Sequence, residues 1–132
     1  MHRARREEGE LSPERLAELW IETQAAQLGD AVDLDGYERW WSYVVHFTYA
    51  PGYVYAYSFG YLFALAIFRR YEREGDSMVE PYLRLLRAGG SDTPERLAGI
   101  VGLNIRERAL WDEGLAAIDD LVSEAEELAG SL

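Results

Sequence analysis

The sequence predicts an all-α chain. Helix-start signals recur along it, apolar residues return every three or four positions, and no segment alternates apolar and polar residues between turn signals as a half-buried strand would. The expected architecture is a single unit over residues 1–132, about six helices around a long central buried helix. A chain of that length holds one domain with a core, but not two.

Residues 3–10 are charged and helical by propensity, yet carry no cap and no apolar stripe. They read like the tail of a helix whose beginning lies elsewhere. Ser12-Pro13-Glu14 is a cap residue, a proline at the first helical position and an acid in the first turn. Leu16, Leu19, Trp20 and Thr23 follow at helical spacing, and Gly29 closes this helix near Leu28. Residues 30–35 form an acidic turn. Residues 37–47, with adjacent Trp40 and Trp41, predict a shorter helix running into a loop at 48–52. Residues 53–74 are the longest element: apolar on all sides at first, as a central buried helix is, and charged over 69–74 where it reaches solvent. Gly75-Asp76-Ser77 ends that helix and caps the next, whose stripe is Val79, Tyr82, Leu83 and Leu86, with Pro81 in its first turn. Gly89-Gly90 stops it. Thr93-Pro94-Glu95 opens a short helix bearing Leu97, Ile100 and Val101, and Gly102 ends it. The last helix runs from about 106 to 128, with Trp111, Leu115, Ile118, Val122 and Ala125 on one face.

Composition narrows the function. Hydrophobic residues are 48% of the chain, which excludes a disordered tail. The formal charge is −11, with 24 acidic residues against 13 basic ones, all arginine, so a nucleic-acid partner is not expected. Cysteine is absent, and the only histidines are His2 and His46, too few for a zinc site built on two or three imidazoles of this chain alone. The N-terminus has basic residues without the apolar stretch of a signal peptide, and a cytoplasmic location is expected. Residues 47–68 hold no charge, but Pro51-Gly52 breaks the run and leaves about 16 residues, short of the roughly 20 that span a bilayer. Tyr53, Tyr55, Tyr57 and Tyr61 crowd its first half, so no membrane association is expected.

The residues from His46 to Tyr57 carry the most chemical information. A histidine, a turn and then tyrosines entering a helix would gather donors of the kind that hold a peptide carbonyl or stabilise an oxyanion. At i and i+4 on a helix, Tyr53 and Tyr57 share a face, Tyr55 points the other way, and Tyr61 returns toward the pair. The same aromatics can equally fill a core with their hydroxyls bonded to backbone. The acids Asp119, Asp120, Glu124, Glu126 and Glu127 read as a solvated helix face. Asp30, Asp33 and Asp35 lack the closing acid of a calcium loop.

His46-Phe47, Pro51, Tyr53-Val54-Tyr55, Tyr57 and Gly60 resemble the signature that follows the active-site helices in oligoendopeptidase F-type zinc metallopeptidases, relatives of thimet oligopeptidase. Thr48 and Gly52 stand where that pattern has aromatics. The similarity extends to residues 16–30, to Leu85-Leu86-Arg87-Ala88-Gly89-Gly90-Ser91-Asp92, and to residues 111–128. The family holds zinc on a His-Glu-x-x-His helix plus a later Glu, and no His-Glu-x-x-His occurs in this sequence. The resemblance therefore implies the C-terminal segment of such an enzyme, with no metal ligand or cofactor in this chain, zinc in the intact enzyme, and no peptidase activity alone. It also implies short peptides as substrates. His46, Tyr53 and Tyr57 would bind substrate and stabilise the tetrahedral intermediate, and Tyr55 matches the pattern in a more structural part. The alternative is a non-catalytic helical module. In either case a homo-oligomer, or association with the missing catalytic segment, is expected from the apolar surface of residues 53–68.

Overall fold

The computed structural model describes residues 1–50 and 52–131. It is helical, with six α-helices and no strand among the described residues: α1 (His2–Glu8), α2 (Pro13–Leu28), α3 (Tyr55–Glu74), α4 (Val79–Ala88), α5 (Pro94–Ile100) and α6 (Arg108–Gly130). Contacts divide the chain into two compact units, Met1–Ala56 and Tyr57–Leu132. The sequence has no linker there, because the boundary falls inside α3.

The helix starts follow their local chemistry. Ser12 accepts a hydrogen bond from the Arg15 N–H at 3.2 Å and Thr93 one from the Arg96 N–H at 3.5 Å, each followed by proline at the first helical position. Ser77 acts differently from its expected capping role. Its hydroxyl donates to the Glu74 carbonyl at 2.9 Å, closing α3 through a 3₁₀ turn at Gly75–Met78, and α4 starts behind Met78 with no side-chain cap. The helix expected over 37–47 is replaced by two 3₁₀ turns, Trp40–Tyr43 and Val45–Phe47. Aromatic and β-branched residues lose rotamer freedom on a helix. Here the Ser42 and Thr48 hydroxyls also bond the carbonyls of Arg39 and Val45, at 2.8 and 3.3 Å, in competition with a helical ladder.

Among the described residues of the first unit only Ala4 is buried. Ring contacts do the packing: Tyr37 stacks between Trp20 and Trp40 at 6.2 and 4.5 Å, and Phe47 meets His2 and Trp20 edge-on at 6.1 and 6.3 Å.

The second unit has a core of Ile67, Met78 and Val101, against which Phe63, Leu85 and Leu103 pack. The long helix α3 is present, but burial along it reaches only Ala66 and Ile67, while Tyr57, Tyr61 and Phe68 are more than half exposed. A helix apolar all round can be covered on every face only by neighbours on every face, and α4 to α6 do not supply them. α3 and α6 approach closely at Gly114, and the flanking pairs Arg69–Asp120 and Arg73–Glu113 join the same two helices.

At the start of α5, a hydrogen bond from its own backbone N–H, and then the Arg106 guanidinium at 2.9 Å, hold the Glu95 carboxyl below its ordinary value of 4.5. A lowered carboxylate stabilises the fold fully above its unfolded value, and that contribution disappears as pH falls through the folded value. Glu95→Gln should therefore melt below the parent at pH 7, and the gap should close well below pH 4, as thermal unfolding at the two pH values will read.

Candidate functional site

The His46–Tyr53 segment is built by successive tight turns. The amides of Phe47 and Thr48 donate to the carbonyls of Val44 and Val45 at 3.0 and 3.2 Å, and the Tyr49 amide reaches the Val45 carbonyl at 2.8 Å. Gly52 follows at φ +83, a left-handed conformation that glycine adopts without Cβ strain. The Tyr53 amide closes on the Ala50 carbonyl at 3.1 Å. This winding returns Tyr53 to His46, and the imidazole and phenol stack with centroids 5.2 Å apart and planes 20° apart. His46 is half-buried and Tyr53 is exposed.

Tyr55 is the first residue of α3 and Tyr57 the third, and both are exposed, at 69% and 62%. Because α3 starts at Tyr55, Tyr53 belongs to the preceding turn, and the helical i, i+4 relation expected between Tyr53 and Tyr57 does not apply. Pro51, counted in the motif, lies outside the described residues. The structure thus brings His46 and Tyr53 together within the first unit, while Tyr57 lies in the second.

Among the described residues no group of three or more His, Cys, Asp or Glu side chains is placed to hold a metal ion. No helix among the described residues is long and apolar enough to cross a membrane. α3 has the length, but its tyrosines and the charged run from Arg69 to Glu74 remove the apolar stretch.

A second cavity-forming region escaped the sequence reading. α1, α2 and the turns bearing Trp41, Phe47 and Thr48 border a cavity of about 720 Å³ lined in part by His2, Arg5, Arg6, Trp41 and Phe47. Its only advance signal was a charged first helix with no apolar stripe.

Residues 1–116 match the profile of Peptidase family M3, and the chain belongs to that family. It is 31% identical over 126 residues to Oligopeptidase PepF of Bacillus subtilis (strain 168), an alignment covering 92% of this chain and 18% of that protein. It is also 35% identical over 66 residues to the Oligoendopeptidase F homolog of Borreliella burgdorferi (strain ATCC 35210 / DSM 4680 / CIP 102532 / B31), covering 50% of this chain and 11% of that one. The chain thus spans less than a fifth of the length of these relatives. No solved structure matches it significantly.

Proposed function

We propose that this chain is the C-terminal substrate-binding portion of an oligoendopeptidase F-like peptidase acting on short peptides, and that it is inactive alone. The observation that carries the reading is the His46–Tyr53 stack, formed by the residues that match the family motif. In this reading the His46 imidazole and the Tyr53 phenol donate to a substrate carbonyl, and the oxygen gains charge as it becomes tetrahedral, so the donors act most strongly in the transition state; Tyr57 is assigned to substrate binding by its place in the family motif. Tyr55 serves mainly to start α3. Zinc and its general base come from the part of the family fold that this sequence does not contain.

The test is NMR titration of the 132-residue chain with an unstructured nonapeptide. The His46 and Tyr53 side-chain resonances should move on binding. His46→Ala should weaken binding by about tenfold, the loss of roughly one hydrogen bond or 1.4 kcal/mol. Unmoved resonances, or zinc-dependent cleavage of the peptide by the purified chain, would overturn the reading.

Self-association is favoured by a separate observation. Val79, Tyr82 and Leu86 lie at i, i+3 and i+7 on α4, are 42–57% exposed, and with Phe68 and Tyr71 line an apolar groove of about 660 Å³. A stripe of this kind can pair with its own copy across a two-fold axis. Light scattering should find a dimer at micromolar concentration that Leu86→Glu dissociates, and a monomeric parent would refute it.

A further inference from the structure

Neither His46 nor Tyr53 lines the cavity of the first unit. Its walls include the apolar side chains of Leu16, Trp41 and Phe47, and its rim carries Arg5 and Arg6 from the last turn of α1. Arg3, on the same helix, pairs with Glu7, and Arg15 pairs with Glu8 and Glu18. Arg5 and Arg6 form no ion pair among the described residues, in a chain with 24 acids to choose from. One acid, Glu10, shares the lining with them. Two of the wall side chains also hold unmet polar atoms: His2 Nε2 and Trp41 Nε1 are buried without a hydrogen-bond partner. An indole N–H can only donate, so what Trp41 lacks is an acceptor.

Two guanidiniums without ion pairs and a tryptophan whose buried N–H lacks an acceptor, all lining one largely apolar cavity, suit a ligand that is anionic and planar at one end and apolar behind it. A carboxylate meets the arginine fork with two parallel hydrogen bonds. An aromatic or branched side chain suits the apolar lining that Leu16, Trp41 and Phe47 supply. We propose that this cavity is a binding site for a carboxylate attached to an apolar group, as at the C-terminus of a peptide ending in Phe or Leu, or in a free arylalkanoic acid. The site is distinct from the His46–Tyr53 stack and does not depend on it.

The experiment is titration of the full chain with N-acetyl-Ala-Phe, with its C-terminal amide, and with 3-phenylpropionate, followed by the NMR shift of the Trp41 indole N–H. That resonance is assigned by its loss in Trp41→Phe. The free-acid peptide should move it and the amide should bind at least tenfold more weakly. Arg5→Gln/Arg6→Gln should lose binding, and Arg3→Gln, which removes one charge from the same helix at an already paired position, should keep it. Both arginines are exposed, so the double variant should fold, which its melting curve will verify. Binding of 3-phenylpropionate as well as the peptide would assign the site to carboxylates in general, and binding of the peptide alone to peptide C-termini. An amide that binds as well as the acid, affinity retained in the double variant, or no shift at millimolar ligand would each overturn the proposal.

Discussion

Gly114→Val should lower the melting temperature by several degrees, up to about 10 °C. A Cβ at Gly114 would stand 2.7 Å from the Leu62 carbonyl oxygen and 3.2 Å from its Cα and Cβ. The obstacle is backbone, not the end of a flexible side chain, so α3 and α6 must separate for any side chain to fit. Separation loosens the contacts around Leu110 and Ala117, both 5% exposed on the α6 face that Gly114 shares. Overpacking of this kind costs about 1–3 kcal/mol. The better helix propensity of valine offsets only about 0.4 kcal/mol of that. For a chain of this size, the net loss of about 0.6–2.6 kcal/mol reaches the stated shift at its upper end. Gly60→Ala is the control. It lies on α3 with nothing within 4 Å of the added Cβ, so the propensity gain stands unopposed and the protein should become more stable by up to about 1 kcal/mol. Thermal unfolding of both variants checks the pair. Equal shifts in one direction would mean that Gly114 is not a contact point.

That close approach could not be read from the sequence, because Gly114 looks like any helix-weakening glycine until α3 is placed against it. What was legible was local. Ser12-Pro13 and Thr93-Pro94 act as starts because the cap oxygen and the first-turn amide are three residues apart in any helix. The segment from Trp40 to Phe47 was misread for the opposite reason: its spacing suits a helix, but hydroxyl-to-carbonyl bonds from Ser42 and Thr48 settle it into 3₁₀ turns. At the candidate site the motif named His46 and Tyr53, and the structure stacks them. The assumed helical relation of Tyr53 to Tyr57 failed at Gly52, where a positive φ sets the turn and delays the helix to Tyr55. The cavity beside Arg5 and Arg6 was invisible for a further reason. It needs α1 and the turns bearing Trp41, Phe47 and Thr48 in one place, and nothing in either segment specifies the other.

Arg70 is where the second large effect is expected. Its Nη1 donates to the Val101 carbonyl at 3.0 Å and to the Gly102 carbonyl at 2.6 Å, while Nε holds Glu74 at 2.6 Å. The two carbonyls are the unsatisfied end of α5, where a cation is favoured and a donor is needed. Val101 is 2% exposed, so water cannot readily replace the arginine there. Arg70→Met keeps the apolar stem and removes charge and donors together. It should cost about 2 kcal/mol, chiefly because the Val101 carbonyl is left unpaired. Arg70→Lys supplies a single point of donation in place of the planar fork and should recover only part of the loss. Gly102 makes the test specific. It sits at φ +67, and a Cβ there would lie 2.6 Å from Arg70 Nη1, so Gly102→Ala suffers both backbone strain and displacement of the guanidinium. In an Arg70→Met background the displacement disappears and only the strain remains. The double variant should therefore be less destabilised than the sum of the singles, by about 1 kcal/mol in a double-mutant cycle read by urea unfolding. Strict additivity would show that Arg70 does not hold the end of α5.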